Sequence, residues 1–187
     1  MAKIILIISG GSTMGKTTIA NKLKANEGFS LYRPLTTRES REDEIYFQYR
    51  HVSKELFVKE IENNSFFFHD FLFNNYYGIL KDINQFIESN SKCLFIIPSW
   101  RMADLIDCIG RDVIAFHIVS TQTDTARQRL LDRSNINEEE INQRIVDIKK
   151  QSKIRNEKAI RIENSETIEG IYDTIIFKTK EHFNGTK

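Results

Sequence analysis

Near its start the chain reads Ser9-Gly10-Gly11-Ser12-Thr13-Met14-Gly15-Lys16-Thr17-Thr18, a match to G-x-x-x-x-G-K-S/T. This spacing constrains the fold more than any other stretch, because the phosphate-binding P-loop it describes needs a strand before it and a helix after it. Lys3-Ile4-Ile5-Leu6-Ile7-Ile8 supplies the strand: a short apolar run rich in β-branched residues reads as buried. Ile19-Ala20-Asn21-Lys22-Leu23 opens the helical pattern. In such a loop the glycines let backbone N–H groups turn inward around a phosphate, and the positive end of the helix points at the same spot. Gly10, Gly11, Ser12, Thr13, Met14, Gly15, Lys16, Thr17 and Thr18 are thus the expected ATP site. Lys16 would reach the outer phosphates and the Thr17 hydroxyl would ligate Mg²⁺.

A chain of 187 residues suits one domain with a real core. Its 40% hydrophobic and 28% charged residues are a soluble globular composition. A net charge of +1 removes the electrostatic case for a nucleic-acid partner. Cys93 and Cys108 are too few for a disulfide framework and sit in apolar surroundings, as reduced core cysteines do. His51, His69, His117 and His182 lack zinc spacing, and His117, inside an apolar strand pattern, reads as structural. No stretch is long enough to span a membrane, and the opening apolar run lacks the length and cleavage pattern of a signal peptide. The expectation is a cytoplasmic monomer or homodimer with no membrane partner.

Further along, Gly28 ends the first helix, and Phe29-Ser30-Leu31 is a short strand. Arg33–Glu44 is a polar loop, and Tyr46–Val52 alternates like a strand. Ser53 caps a helix through Glu62. Phe66–Phe73 is an aromatic run, read as packing rather than a base-stacking platform, and Asn74-Asn75-Tyr76-Tyr77-Gly78 reads as a turn. Ile79, Leu80, Ile83, Phe86 and Ile87 keep helical spacing. Cys93–Ile97 and Val113–Val119 are buried strands, with a short helix from Pro98-Ser99 between them. Helices follow from Thr123 to Arg133 and from the Asn137 cap, then a strand at Ala159–Ile162 and a closing helix capped by Ser165. Strands alternating with helices imply an α/β fold: a mainly parallel sheet flanked by helices. The expected division is a core at about 1–30 and 79–187, a small mixed antiparallel insert at about 31–78, and an arginine-bearing lid at about 127–150.

A P-loop alone does not separate a kinase from a GTPase. The guanine-reading N-K-x-D of a GTPase is absent, and the strand at Cys93–Ile97 ends in Pro98-Ser99 rather than an acid. Arg38 and Arg41 stand three apart in a polar loop with tyrosines nearby. They either clamp a phosphate or pair with Glu39, Glu42 and Asp43. Arg129 and Arg133, at i and i+4, share a helix face where a bound anion would relieve their repulsion. Arg144 has Glu140 one turn earlier as an alternative partner.

Thr36-Thr37-Arg38-x-x-Arg41, Tyr49, Val52-Ser53-x-Glu55-x-Phe57 and Asn75-Tyr76-Tyr77-Gly78 resemble the substrate region of guanylate kinases. Arg129-Leu130-x-x-Arg133, then Glu139-x-Ile141-Asn142-x-Arg144 and Ile162-x-Asn164, are similar to the family's lid and following segments. The resemblance spans nearly the whole chain. It implies a kinase that moves the ATP γ-phosphoryl, with Mg²⁺, to a nucleoside monophosphate or related small phosphate ester. Arg38, Arg41, Tyr49 and Tyr77 would hold the acceptor's phosphate, and Lys16, Arg129, Arg133 and Arg144 would be catalytic.

Two positions depart from the family. Counting back from Asn75 without a gap puts Phe68 where guanylate kinases carry a guanine-reading glutamate, and Asp70 would replace it only through a shift of the backbone. Phe95-Ile96-Ile97-Pro98 replaces the family's acidic strand end. The expectation is therefore an acceptor site looser than a strict guanylate kinase. The alternatives are a sugar-phosphate kinase resembling ribose 1,5-bisphosphate phosphokinase, to which Ser99-Trp100-Arg101 is similar, and a catalytically silent binding module of the same fold. Retention of Lys16 and the arginines favours an enzyme.

Overall fold

Strand β1 (Ile4–Gly10) is the centre of the molecule, and its residues from Ile5 onward are buried. A computed structural model describes residues 3–40, 48–110, 112–120, 123–132, 137–164 and 167–184. β1 lies in a five-stranded sheet of order β2-β7-β1-β8-β9, with β2 at Ser30–Leu31, β7 at Lys92–Ile97, β8 at Ile114–Val119 and β9 at Ala159–Glu163. Every pairing in it is parallel. Such a sheet is covered on both faces. Alternation along β1 sends Leu6 and Ile8 to one face, with Leu23, Phe116, Ile118 and Ile171, while Ile5 and Ile7 go to the other, with Ile83, Phe95, Leu105 and Ile109. Helices α1 (Lys16–Glu27), α5 (Thr123–Leu131), α6 (Glu138–Lys153) and α7 (Ile168–Asn184) contribute to the first core, and α3 (Ile83–Ser89) and α4 (Met102–Ile109) to the second. No helix among the described residues is long and apolar enough to cross a membrane.

The second sheet has four strands in the order β4-β3-β6-β5: β4 at Arg50–His51, β3 at Leu35–Thr36, β6 at Asn75–Leu80 and β5 at Phe66–Leu72. It is mixed, as expected, with β3–β4 parallel and the other pairs antiparallel. Its small core is Leu35, Phe57 and Phe66. Phe57 comes from α2 (Lys54–Glu62), whose first turn is capped by Ser53 Oγ accepting from the Leu56 N–H at 3.2 Å. Its ring stacks on Phe66 with centroids 4.5 Å apart.

Several boundaries move. Asn75–Gly78 is strand, not turn; the turn is Phe73-Asn74, both left-handed at φ 49° and 60°, as a two-residue hairpin turn requires. Ile79 and Leu80 finish β6, paired with Phe68 and Phe66, so α3 starts only at Ile83, and the Asp82 carboxylate before it is taken by Tyr32 at 2.6 Å and Arg50 at 3.1 Å. The loop at 33–44 contains β3, whose short pairing leaves no periodic signal. The aromatic run divides: Phe66 is core, Phe68 only partly buried, and Phe71 stands 55% exposed. Asn137 caps α6 as read, its Oδ1 accepting from Glu140 at 2.8 Å. Ser165 lies outside the described residues, and Thr167 Oγ1 accepts from the Gly170 N–H at 3.1 Å at the start of α7.

Two stability expectations follow from this packing. A Cβ at Gly78 would lie 2.4 Å from Phe66 Cε1 and 3.1 Å from Phe57 Cζ. Gly78→Ala therefore overpacks the small core and lowers stability by about 1–3 kcal/mol, read from the urea midpoint. The second concerns His117, which is 2% exposed and whose Nε2 lies 2.9 Å from Ser99 Oγ. Burial first, then the positive charges of Arg161, Lys16 and Arg155, push it from 6.5 down to about 4. Between those values the unfolded chain takes up a proton that the folded chain refuses. Stability is complete above pH 6.5 and falls as pH drops towards 4. Urea titrations should show a loss of about 2 kcal/mol between about pH 7 and pH 5 that His117→Gln largely removes.

Candidate active site

Gly10 is where β1 leaves the sheet. Its φ of 141° is closed to other residues, and a Cβ there would lie 2.2 Å from the Ile118 carbonyl oxygen on β8. The chain turns through Ser12 and Thr13 and enters α1 from Gly15, at φ 78°, with no side chain capping the helix. A Cβ at Gly11 would meet Ile148 of α6, 2.9 Å from Cγ1 and 3.2 Å from Cα, so α6 rests directly on the loop. Lys16 Nζ donates to the carbonyls of Gly10 at 2.8 Å and Gly11 at 2.6 Å. Thr17 Oγ1 donates to Gln48 Oε1 at 3.1 Å. Thr13 is left-handed, at φ 64°. Its buried hydroxyl has no hydrogen-bond partner, the one such side-chain atom among the described residues. A phosphate oxygen lodged in the loop would complete it.

The loop floors a cleft of about 600 Å³ that also takes in Tyr77 of β6, Arg38 and Tyr49 from the connections beside β3 and β4, and Arg129 and Arg144 from α5 and α6. Arg129 Nη1 donates to the Thr13 carbonyl at 3.1 Å. Arg144 is 7% exposed. It pairs with Glu140 at 2.6 Å and also reaches Ser12 Oγ at 3.1 Å. Its guanidinium lies 4.4 Å above the Phe73 ring. At the other end the Arg38 guanidinium lies 5.5 Å over the Tyr49 ring, and Tyr49 meets Tyr77 edge-on at 5.8 Å. Arg41 and Arg133 lie outside the described residues.

Among the described residues, Asp70 and Asp147 are the acids that line the cleft. Asp70 needs no backbone shift to reach it. Pairing runs without interruption from Phe68–Ile79 to Leu72–Asn75, and simple alternation puts Asp70 on the face of Phe68 and opposite Tyr77. Its carboxylate is gripped by Arg101, at 2.7 Å from Nη2 and 3.0 Å from Nε, and by Trp100 Nε1 at 3.4 Å. Trp100 thus helps to orient the carboxylate. Arg101 lies 5.0 Å over Phe68 and also holds Asp104 at 3.0 Å.

Asp147 was not foreseen. It accepts from Gln151 Nε2 at 2.6 Å, and Gln151 Oε1 accepts from Ser99 Oγ at 2.9 Å, which joins the cleft to buried His117. Burial pushes the Asp147 carboxyl above the ordinary aspartate range, against the Gln151 hydrogen bond and the nearby charges of Lys16, Arg144 and Lys150. The available signal was spacing: Arg144, Asp147 and Gln151 fall at i, i+3 and i+7 on the face that buries Ile141 and Ile148.

The family model described as guanylate kinase matches residues 2–177. The guanylate kinase of Baumannia cicadellinicola subsp. Homalodisca coagulata is 33% identical over 148 residues, 76% of this chain and 72% of that protein. That of Mesomycoplasma hyopneumoniae (strain J) is 32% identical over 165 residues, 83% of each. The crystal structure of guanylate kinase from Anaplasma phagocytophilum shares the fold, with a TM-score of 0.68 over 96% of this chain and 85% of that one at 22% identity. From the strand ahead of its P-loop to its closing helix, this chain belongs to the guanylate kinase family.

Proposed function

We propose that this protein transfers the γ-phosphoryl group of ATP to a nucleoside monophosphate, and that GMP is the acceptor. The observation that carries the proposal is one cleft faced at one end by Lys16, Arg129 and Arg144 and at the other by Arg38, Tyr49 and Tyr77. Family membership and relatives bearing the name guanylate kinase support the same acceptor class, and nothing comparable favours a sugar phosphate. The loop N–H groups and Lys16 bind the ATP phosphates. Arg38 and Arg41, with Tyr49 and Tyr77, hold the acceptor's phosphate, which brings its oxygen into line with the γ-phosphorus. Arg129, Arg133 and Arg144 offset the charge spread over the transferring group. Thr17 and Asp147 are the residues that would hold Mg²⁺ or its waters, and the bound ion would neutralise ATP's phosphates. The complement of loop lysine and cleft arginines argues for an enzyme over a silent module.

Asp70 bears on the acceptor. The expectation of a loose site rested on Phe68 and on the apolar strand end at Ile96-Ile97-Pro98, yet the next residue on the face of Phe68 is a carboxylate. A base lying against the apolar wall of Phe68, Ile79 and Ile97 leaves its N–H donors unpaired unless an acceptor meets them. Guanine offers two adjacent donors, N1–H and its amino group, which suit a carboxylate. Adenine places a ring acceptor there, which a carboxylate repels.

Lys16→Ala should lower kcat by about 100-fold or more with an unchanged circular dichroism spectrum, read in a coupled ADP-release assay. Full turnover in the folded variant would exclude the assignment. Asp70→Asn should lower kcat/KM for GMP by about 10- to 100-fold while leaving the value for AMP undiminished or raised, so steady-state kinetics with both acceptors decide whether Asp70 reads the base.

A further inference from the structure

Two residues other than Asn and Gly hold a left-handed backbone among the described residues, Thr13 and Phe73. A bulky side chain in that region is a strained choice, and such strain persists where the surroundings impose it. Each of the two touches a cleft arginine: Thr13 through its carbonyl to Arg129, Phe73 through its ring to Arg144. Phe73 opens the two-residue turn between β5 and β6, where glycine or asparagine is the favoured occupant. Its neighbour Asn74 meets that preference and Phe73 does not. The hairpin belongs to the sheet that carries Tyr77, whereas Arg144 belongs to α6, which lies on the P-loop. The contact therefore bridges the two sides of the cleft.

We infer that Phe73 is a positioning residue for phosphoryl transfer: its ring seats the face of the Arg144 guanidinium across the cleft, so the arginine is held on all sides only when the four-stranded sheet is docked against α6. The inference rests on the kinase reading above. Glu140 grips one edge of the guanidinium through Nε and Nη2, and Ser12 takes Nη1. Neither covers its flat face, and an aromatic ring is the surface that holds a guanidinium by its face. The geometry links acceptor side to donor side. Closing the second sheet over its phosphate ester would finish the setting of the arginine that meets the transferring group, and a cleft held open would leave ATP without it.

The test compares Phe73→Gly, Phe73→Leu and Phe73→Tyr in the full chain, with ATP and GMP. Glycine is the better turn residue, so Phe73→Gly should keep or raise the melting midpoint. Even so, kcat should fall about 3- to 30-fold in Phe73→Gly and Phe73→Leu, with KM for ATP little changed, whereas Phe73→Tyr retains wild-type kcat. A double-mutant cycle on unfolding, pairing Phe73→Leu with Arg144→Met, should show coupling between the two positions without any substrate. Wild-type kcat in both Phe73→Gly and Phe73→Leu overturns the inference. So does a loss that follows the melting midpoint and is equal in Phe73→Tyr, which would mark a purely structural role. Absence of coupling in the cycle also overturns it. If the wild-type chain turns over no nucleoside monophosphate, the kinase reading falls and the inference falls with it. Turnover that is insensitive at Phe73 overturns the inference alone.

Discussion

The approach of Gly10 to the Ile118 carbonyl is the constraint on which the site depends. β1 and β8 are paired to that very residue, so the backbone of the strand end sits where a side chain would otherwise stand. Only glycine fits, and only glycine readily takes the φ of 141° that turns the chain out of the sheet. Every later feature inherits this turn. It sets where α1 begins, hence where its first N–H groups lie and where Lys16 stands. It also leaves the loop backbone bare enough for α6 to rest on Gly11. Hydrophobic burial on both faces of the parallel sheet supplies the bulk of the stability, but the register at this one pair directs it towards a phosphate-binding shape.

The charges of the cleft are arranged in two groups. Lys16, Arg129 and Arg144 gather at the P-loop end, Arg38 at the other, and each end has one acid. The acids are treated differently. Asp147 is partly buried and is supported by a chain of neutral groups, Gln151, Ser99 and His117. A neutral His117 suits this arrangement, since a proton there would add a buried cation close to Lys16 and Arg161. Asp70 is held by the Arg101 fork and by Trp100 Nε1, which fix its direction.

The parallel core was legible because its physics is local. β7 and β8 are continuous apolar runs, Ser53 and Asn137 are strong caps, and the P-loop carries its own flanking elements. The second sheet was far less legible. β3 and β4 are two residues each, too short for periodicity, and Asn75-Tyr76-Tyr77-Gly78 has turn residues at its ends although its aromatic middle pairs as strand. The separate groups of the candidate site could be read from motif and resemblance, but not which of them meet. That Asp70 lines the cleft beside Phe68 was not read, because counting along a chain ignores the alternation that puts every second residue on one face. Asp147 and Gln151 were missed because what they meet, the P-loop cleft and Ser99, is far away in sequence. Long-range polar pairing leaves no mark in a single sequence unless a stripe on a helix is read as deliberate.

The contact between Gly11 and Ile148 has a mechanical meaning. With no side chain between loop and helix, α6 has no cushion across which to slide. A displacement of that helix would drag the phosphate loop with it and spoil the turn at Gly10. Loop, α6 and parallel sheet therefore form one unyielding side of the cleft, and any change in its width has to come from the side that carries Tyr77.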